Sequence, residues 1–133
     1  ELVNMILSAH EPQIKNSGID FQYSIQIPEQ LSVSDVDMTA ILSNALENAI
    51  HATVSLAPEN RRIILNFYRN NDKLLLSIKS TFAKAPVFVD GMPQTTAAGH
   101  GLGTKSIHYI TEKLHGNCQF FVSGEYFVLQ IIL

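Results

Sequence analysis

The sequence predicts a two-layer α/β sandwich, a mixed sheet covered on one face by three helices. Three observations lead there. Two pairs of period-two segments each join across a short polar turn, which makes them antiparallel hairpins. Three other stretches space their apolar residues as helices do. The chain has 133 residues, 46% hydrophobic and 16% charged, long enough to bury one core and too apolar to stay disordered.

Residues 1–15 read as a short helix, stopped by Asn16-Ser17-Gly18. Phe21, Tyr23, Ile25 and Ile27 alternate with Gln22, Ser24 and Gln26, a half-buried strand that Pro28 ends. Ser34 or Asp35 caps a long helix reaching to about residue 56, with Met38, Ile41, Leu42, Ala45, Leu46 and Ala49 as its apolar stripe. Ala57-Pro58-Glu59-Asn60 breaks the chain. Strands over 62–69 and 73–80 then meet at Asn70-Asn71-Asp72. Residues 81–100 hold Pro86, Pro93 and many small residues with no clear period. A structureless stretch of that length in a compact domain is usually functional, and it reads as a lid at about 82–98. A helix from about 104 to 114 closes at His115-Gly116-Asn117. A last hairpin, 119–122 and 126–133, turns at Ser123-Gly124-Glu125.

Composition narrows the function. Nine Lys and Arg against twelve Asp and Glu leave a net charge of −3, which argues against nucleic acid as a general partner. No apolar run approaches the roughly 18 residues of a membrane span. A single cysteine, Cys118, excludes an internal disulfide framework and a cysteine-rich zinc site, and fits a reducing, cytoplasmic setting. The chain starts at Glu1 on a helical pattern, Leu2 and Ile6, with no cap or signal peptide before it. The expectation is one domain, 1–133, cut from a longer membrane-anchored protein.

Two features could carry chemistry. Asn44, Asn48 and His51, spaced by four and three, fall in one narrow stripe beside the apolar face of the long helix. Asparagine is a mediocre helix former, so two of them at a buried edge need a reason. Asn48 could give an amide oxygen to Mg²⁺, which takes oxygen ligands and shares them with phosphates, with Asn44 one turn away orienting a ligand or water. The plainer alternative is a pair of amides bonding to neighbouring loops. The second feature is Gly99-His-Gly-Leu-Gly-Thr-Lys-Ser106 just before a helix. Glycines allow close backbone approach and a helix start suits phosphate, while a flexible linker would show the same glycines. The string is neither a Walker A loop nor a dinucleotide fingerprint. His100, His108 and His115 have no ligand-spaced partners and read as surface or packing residues. Tyr109, Tyr126 and Phe127 read as core, and Arg61-Arg62 as a solvated strand start.

Together the two features are far more specific. Asn44-Ala-Leu-Glu-Asn48-Ala-Ile-His51-Ala52 resembles the N box of the GHKL ATPases, and 99–106 resembles their G2 box. The stretch 88–96, Phe-Val-Asp-Gly-Met-Pro-Gln-Thr-Thr, followed by 99–106, is similar to the lid of peptide-sensing, quorum-sensing histidine kinases of Gram-positive bacteria. The resemblance runs from Leu2 to the final hairpin and implies the Bergerat fold. It implies that Asn48 is the Mg²⁺ ligand, that Asn44 polarises water or the attacking group, and that His51 lies near the phosphates with Ala52 beside it. It further implies that Gly99, Gly101, Leu102, Gly103 and Thr104 wrap the phosphates, with Lys105 and Ser106 in weaker support. The adenine-contacting Asp or Asn of the family is matched by Ser80, which carries no charge. Ser80 can still accept one hydrogen bond, but a charge-assisted bond is stronger by roughly 1 kcal/mol, so ATP would bind about fivefold more weakly.

The function so implied is the Mg·ATP-binding catalytic domain of a sensor histidine kinase. It would pass the γ-phosphoryl to a His on upstream dimerisation helices and thence to a response regulator, with the full protein a homodimer and this domain a monomer. The alternatives are a nucleotide-binding pseudokinase scaffold and an anti-sigma-type serine kinase. Ser8-Ala-His10-Glu11 echoes a phosphoacceptor box, but a strand begins at Phe21 and leaves no room for the second long helix of that hairpin. His10 is expected to be an exposed residue of the first helix.

Overall fold

The computed structural model of the protein describes residues 1–94 and 100–133. Its elements are α1 (Leu2–Asn16), β1 (Asp20–Gln26), α2 (Asp35–Thr53), β2 (Arg62–Asn70), β3 (Lys73–Thr81), β4 (Val87–Val89), β5 (Met92–Gln94), α3 (His100–Lys113), β6 (Asn117–Ser123) and β7 (Tyr126–Ile132). The main sheet runs β1-β2-β3-β7-β6. β1 lies parallel to β2, and every other pairing is antiparallel. This is the mixed sheet the sequence predicts.

Period-two alternation sets the faces. Ile63, Leu65 and Phe67 of β2 stand opposite Ser80, Ile78 and Leu76 of β3, which stand opposite Phe127, Leu129 and Ile131 of β7. All nine are buried on one face. Above them α2 lowers Met38, Ile41, Leu42, Ala45, Leu46, Ala49 and Ile50, flanked by α1 and α3. Each large apolar side chain so removed from water contributes about 2 kcal/mol. Lys113 in the last turn of α3 reaches Asp37 in the first turn of α2 at 2.9 Å, each charge suited to its helix end.

Several expectations need correction. The stretch 81–100 is not one irregular loop. Thr81 closes β3, and β4 and β5 form a small hairpin in antiparallel register. It turns on Asp90 (φ 52°) and Gly91 (φ 77°), the two left-handed residues of a type I′ turn. Phe88 docks it, its ring 6.4 Å from that of Phe127. α3 also begins earlier than expected, at His100, so Gly101 and Gly103 belong to its first turn.

Tyr109 is not core. It is 68% exposed, because α3 buries Thr104, Ile107, Ile110 and Thr111 and turns 109 outward. Tyr23 is likewise half exposed at 50%, since β1 is a sheet edge with a neighbour on one side only. His10 is not exposed. Its side chain is 13% accessible, with Nδ1 2.9 Å from the Ile6 carbonyl and Nε2 4.0 Å from Glu47 of α2.

Arg61 is no solvated strand start either. Its guanidinium donates to the carbonyls of Leu56 (2.9 Å), Ser17 (2.7 Å) and Val54 (3.0 Å). Ser17 and Val54 are the C-caps of α1 and α2, so one cation satisfies carbonyls at the negative ends of two helices. Arg61→Ala is expected to destabilise the fold by about 2 kcal/mol, read as a lowered urea midpoint with unchanged m-value. An unchanged midpoint would show that water replaces the guanidinium without loss. Cys118, the lone thiol, is pushed up to about 12 by burial.

Candidate functional site

α2 presents the asparagine stripe. Ser34 caps its start, accepting from the Asp37 N–H at 3.2 Å. Its far end is tied to the sheet by a buried hydroxyl cluster. Thr81 donates to the Asn60 carbonyl at 2.8 Å and accepts from the Arg62 N–H at 3.0 Å, and the Thr53 hydroxyl lies 2.6 Å from it. With Thr81's own proton on Asn60, Thr53 is the donor of that last bond. The helix is thus fixed at both ends, and with it the direction of the stripe. Asn44 and Asn48 are half-buried and His51 is exposed. Among the described residues, neither asparagine side chain enters a hydrogen bond or ion pair, so the loop-bonded alternative is not realised there.

Two cavities meet at this stripe, and Asn48 and His51 line both. One, of about 450 Å³, lies between the end of α2 and the lid hairpin. Ala52 of α2 and Ser55 just beyond its C-cap face it, as do Phe82, the segment 83–87, Pro93, Gln94, Thr104 and Phe127. The other, of about 740 Å³, continues along α2 past Asn44 and Glu47 to Gln13 of α1 and Ser17 at its C-cap, with Arg61 and Gly103 on its wall. The combined shape is a mostly apolar chamber beside a trough of mixed polar and apolar lining.

The remaining candidates divide. Gly103 faces Asn44, and a Cβ on it would sit in ordinary contact, 3.5 Å from Asn44 Oδ1. Thr104 is buried against the smaller cavity. Gly101 and Leu102 lie in the first turn of α3, where backbone N–H groups have no helical acceptor. Lys105 is exposed and Ser106 half-buried, and neither lines either cavity. Ser80 is 1% exposed and sits in the sheet floor between Ile63 and Phe127, outside both linings. Gly99, and residues 95–98 of the expected lid, lie outside the described residues. His108 faces Glu112 at 3.3 Å. Among the described residues no group of three or more His, Cys, Asp or Glu side chains could hold a metal, so a cation in the trough would need ligands from a bound molecule.

Sequence reasoning missed the apolar wall, Phe82, Pro93 and Phe127. The Asp90-Gly91 pair between Val87-Phe88-Val89 and Met92 was the available signal, since Asp-Gly between extended segments marks a two-residue hairpin.

A family model described as the GHKL domain matches residues 33–133. The chain belongs to the GHKL family. No curated protein matches it. Among solved structures, the nucleotide-free catalytic domain of histidine kinase ThkA is 21% identical with a TM-score of 0.78, covering 100% of this chain and 90% of that one. Acinetobacter baumannii histidine kinase AdeS is 16% identical with a TM-score of 0.70 over 99% of this chain and 62% of its own. Full-length ShkA in complex with AMPPNP is 16% identical with a TM-score of 0.74 over 98% of this chain and 28% of its own. ThkA has also been solved in complex with the response regulator protein TrrA, at 20% identity and a TM-score of 0.73 over 100% of this chain and 39% of that one. At these identities the likeness carries the fold. This GHKL domain has the Bergerat sandwich of histidine kinase catalytic domains.

Proposed function

We propose that this GHKL domain is the Mg·ATP-binding catalytic domain of a sensor histidine kinase. The observation that carries the reading is Asn48. It is half-buried, makes no side-chain bond among the described residues, and stands where the apolar chamber meets the trough beside Gly103. The donor set fits the ligand. An amide oxygen is a hard, neutral ligand for Mg²⁺, which completes its shell with phosphate oxygens and water.

The chain's own residues would divide the work. Phe82, Pro93 and Phe127 give the base an apolar chamber that excludes water, and Ser80 lies in the floor below. Asn44 orients a water or the attacking group one turn from Asn48. His51 and the N–H groups of the first turn of α3 face the phosphates. When bound, Mg²⁺ neutralises charge on the transferring phosphoryl, and the protein's contribution is positioning. The acceptor is a His on dimerisation helices outside this sequence, and a response regulator takes the phosphoryl next. In the full protein the domain works on the cytoplasmic side of a membrane-anchored homodimer of the peptide-sensing type.

Titration calorimetry tests this. ATP is expected to bind with a dissociation constant between about 1 μM and 1 mM in Mg²⁺ and to lose most of that affinity in EDTA. No heat at millimolar ATP with Mg²⁺ present would overturn the reading.

A further inference from the structure

The chamber at the end of α2 can bury a flat ring, but it has little with which to choose among rings. Its walls are apolar, with Phe82, Pro93 and Phe127 beside Ala52 and Val87. Such walls hold planar bases alike, because every base has a π-face. Sharp choice between bases needs a buried polar group that the wrong base leaves unpaired. Among the described residues every buried side-chain nitrogen and oxygen already has a partner. The Thr53 and Thr81 hydroxyls are bonded to each other, Thr81 also reaches the Asn60 carbonyl, and Thr104 is engaged as well.

Away from Asn48 and His51, the polar side chains that open on the chamber are Ser55, Lys84 and Gln94, and all three are exposed. Ser55 donates its proton to the Ala52 carbonyl at 2.7 Å, and Gln94 donates one N–H to the Met92 carbonyl at 3.1 Å. What they still offer a ligand is an acceptor on Ser55, an acceptor and a second N–H on Gln94, and the donors of the Lys84 ammonium. Among the described residues Lys84 has no ion pair. Gln94 stands on a fixed element, since it pairs with Val87 across the hairpin that Phe88 docks on Phe127. Among the described residues no carboxylate lines the chamber. From Gly91 to Thr111, which includes the residues not described, the sequence holds no Asp or Glu. A carboxylate only accepts, so one facing carbon 6 of a purine would favour an amino group there and repel an oxygen.

Without that group the two purine edges are equivalent. A 6-aminopurine presents an acceptor, N1, beside a donor, its amino group. A 6-oxopurine presents an acceptor, O6, beside a donor, the hydrogen on N1. The pair is the same in reversed order. The Gln94 carboxamide carries one donor and one acceptor and meets either order by a half-turn, and Lys84 donates to N1 or to O6. Because these groups are exposed, water pairs whichever atom the base leaves over, so a mismatch there costs little. Given the nucleotide site proposed above, on which this rests, we propose that the chamber takes purine nucleoside triphosphates as a class, the 6-oxo GTP and ITP as well as ATP, with Gln94 reading the base edge.

Titration calorimetry of the chain with ATP, GTP, ITP and CTP, each with Mg²⁺, tests this. GTP and ITP should bind within about tenfold of ATP, roughly what one net hydrogen bond contributes. CTP should bind more weakly than all three, because a single ring covers less of the apolar wall. Gln94→Ala, checked for folding by circular dichroism, should weaken ATP and GTP together by about threefold to tenfold and leave CTP unchanged. A general disturbance of the fold or of the phosphate end would weaken CTP equally. A preference for ATP over GTP or ITP beyond about tenfold overturns the proposal and leaves the Mg·ATP reading of the domain standing. CTP binding as tightly as a purine also overturns it, as does a Gln94→Ala variant that weakens CTP along with the purines or weakens none. Heat from none of the four nucleotides removes the nucleotide site itself, and both readings with it.

Discussion

Asn48→Ala is expected to remove Mg²⁺-dependent ATP binding, by a factor on the order of a hundred or more, with almost no change in stability. The two halves of that statement have separate causes. Asn48 makes no side-chain hydrogen bond among the described residues, so truncation leaves no protein group stranded. Alanine is also the better helix former by roughly 0.5 kcal/mol, so the melting temperature should hold or rise slightly. Binding is different, because an amide oxygen aimed at the cation is what the proposed site offers it. Even groups that only orient a metal's ligands are worth 10- to 100-fold. Calorimetry of wild type and variant, each with and without Mg²⁺, separates the effects. The wild type's Mg²⁺ dependence should vanish in the variant, and Asn48→Asp should retain it. Equal affinity of Asn48→Ala and wild type for Mg·ATP would remove Asn48 from the site. The Gly101–Thr104 turn would then have to carry the phosphates alone.

The architecture was legible because its signals are local and repeated. Alternation along 62–69 and 73–80 identifies strands that are buried on one face only, and the stripe from Met38 to Ala49 can only be a helix lying on something. The asparagine stripe was legible for a related reason. Two poor helix formers at the edge of that face conflict with local propensity, and such conflicts gather at functional sites. What stayed hidden depends on tertiary partners. Arg61 looks like any surface cation until the ends of α1 and α2 converge on it. Thr53 and Thr81 are 28 positions apart and neither has a pattern of its own. Tyr109 carries the composition of a core residue, but the phase of α3, set by Ile107 and Thr111, turns it to solvent. The lid hairpin is the avoidable miss. Its three-residue strands are too short for periodicity, yet Asp90-Gly91 specified the turn, and Phe88 then needed only Phe127 to dock against.

Gly116→Ala should be among the most damaging single-methyl additions in the molecule, costing about 3 kcal/mol. The sequence marks His115-Gly116-Asn117 as the stop of a helix, and the usual reason for glycine in such a stop is a left-handed backbone. That is not its task here. His115 takes the left-handed position, at φ 60°. Its N–H donates to the Glu112 carbonyl at 3.0 Å and that of Gly116 to the Thr111 carbonyl at 2.9 Å, the two bonds of a Schellman motif. Gly116 is needed for space. A Cβ on it would lie 2.4 Å from the Ile132 carbonyl oxygen and 3.2 Å from Thr111 Cγ2. The first of these is backbone of a strand paired on both sides, so it cannot swing away as a side-chain tip could. Relief requires α3 to lift from β7, which would shift the helix whose first turn faces Asn44. Gly103 at the other end of α3 is the internal control. A Cβ there meets Asn44 Oδ1 at an ordinary 3.5 Å, so Gly103→Ala should stabilise the helix by about 0.5–1 kcal/mol. Urea unfolding of the two variants should therefore move the midpoint in opposite directions. A loss below about 1 kcal/mol for Gly116→Ala would mean that the α3–β6 junction yields more easily than a doubly paired strand should. His115→Gly should then be the more informative change, because it relieves the left-handed strain without touching the gap.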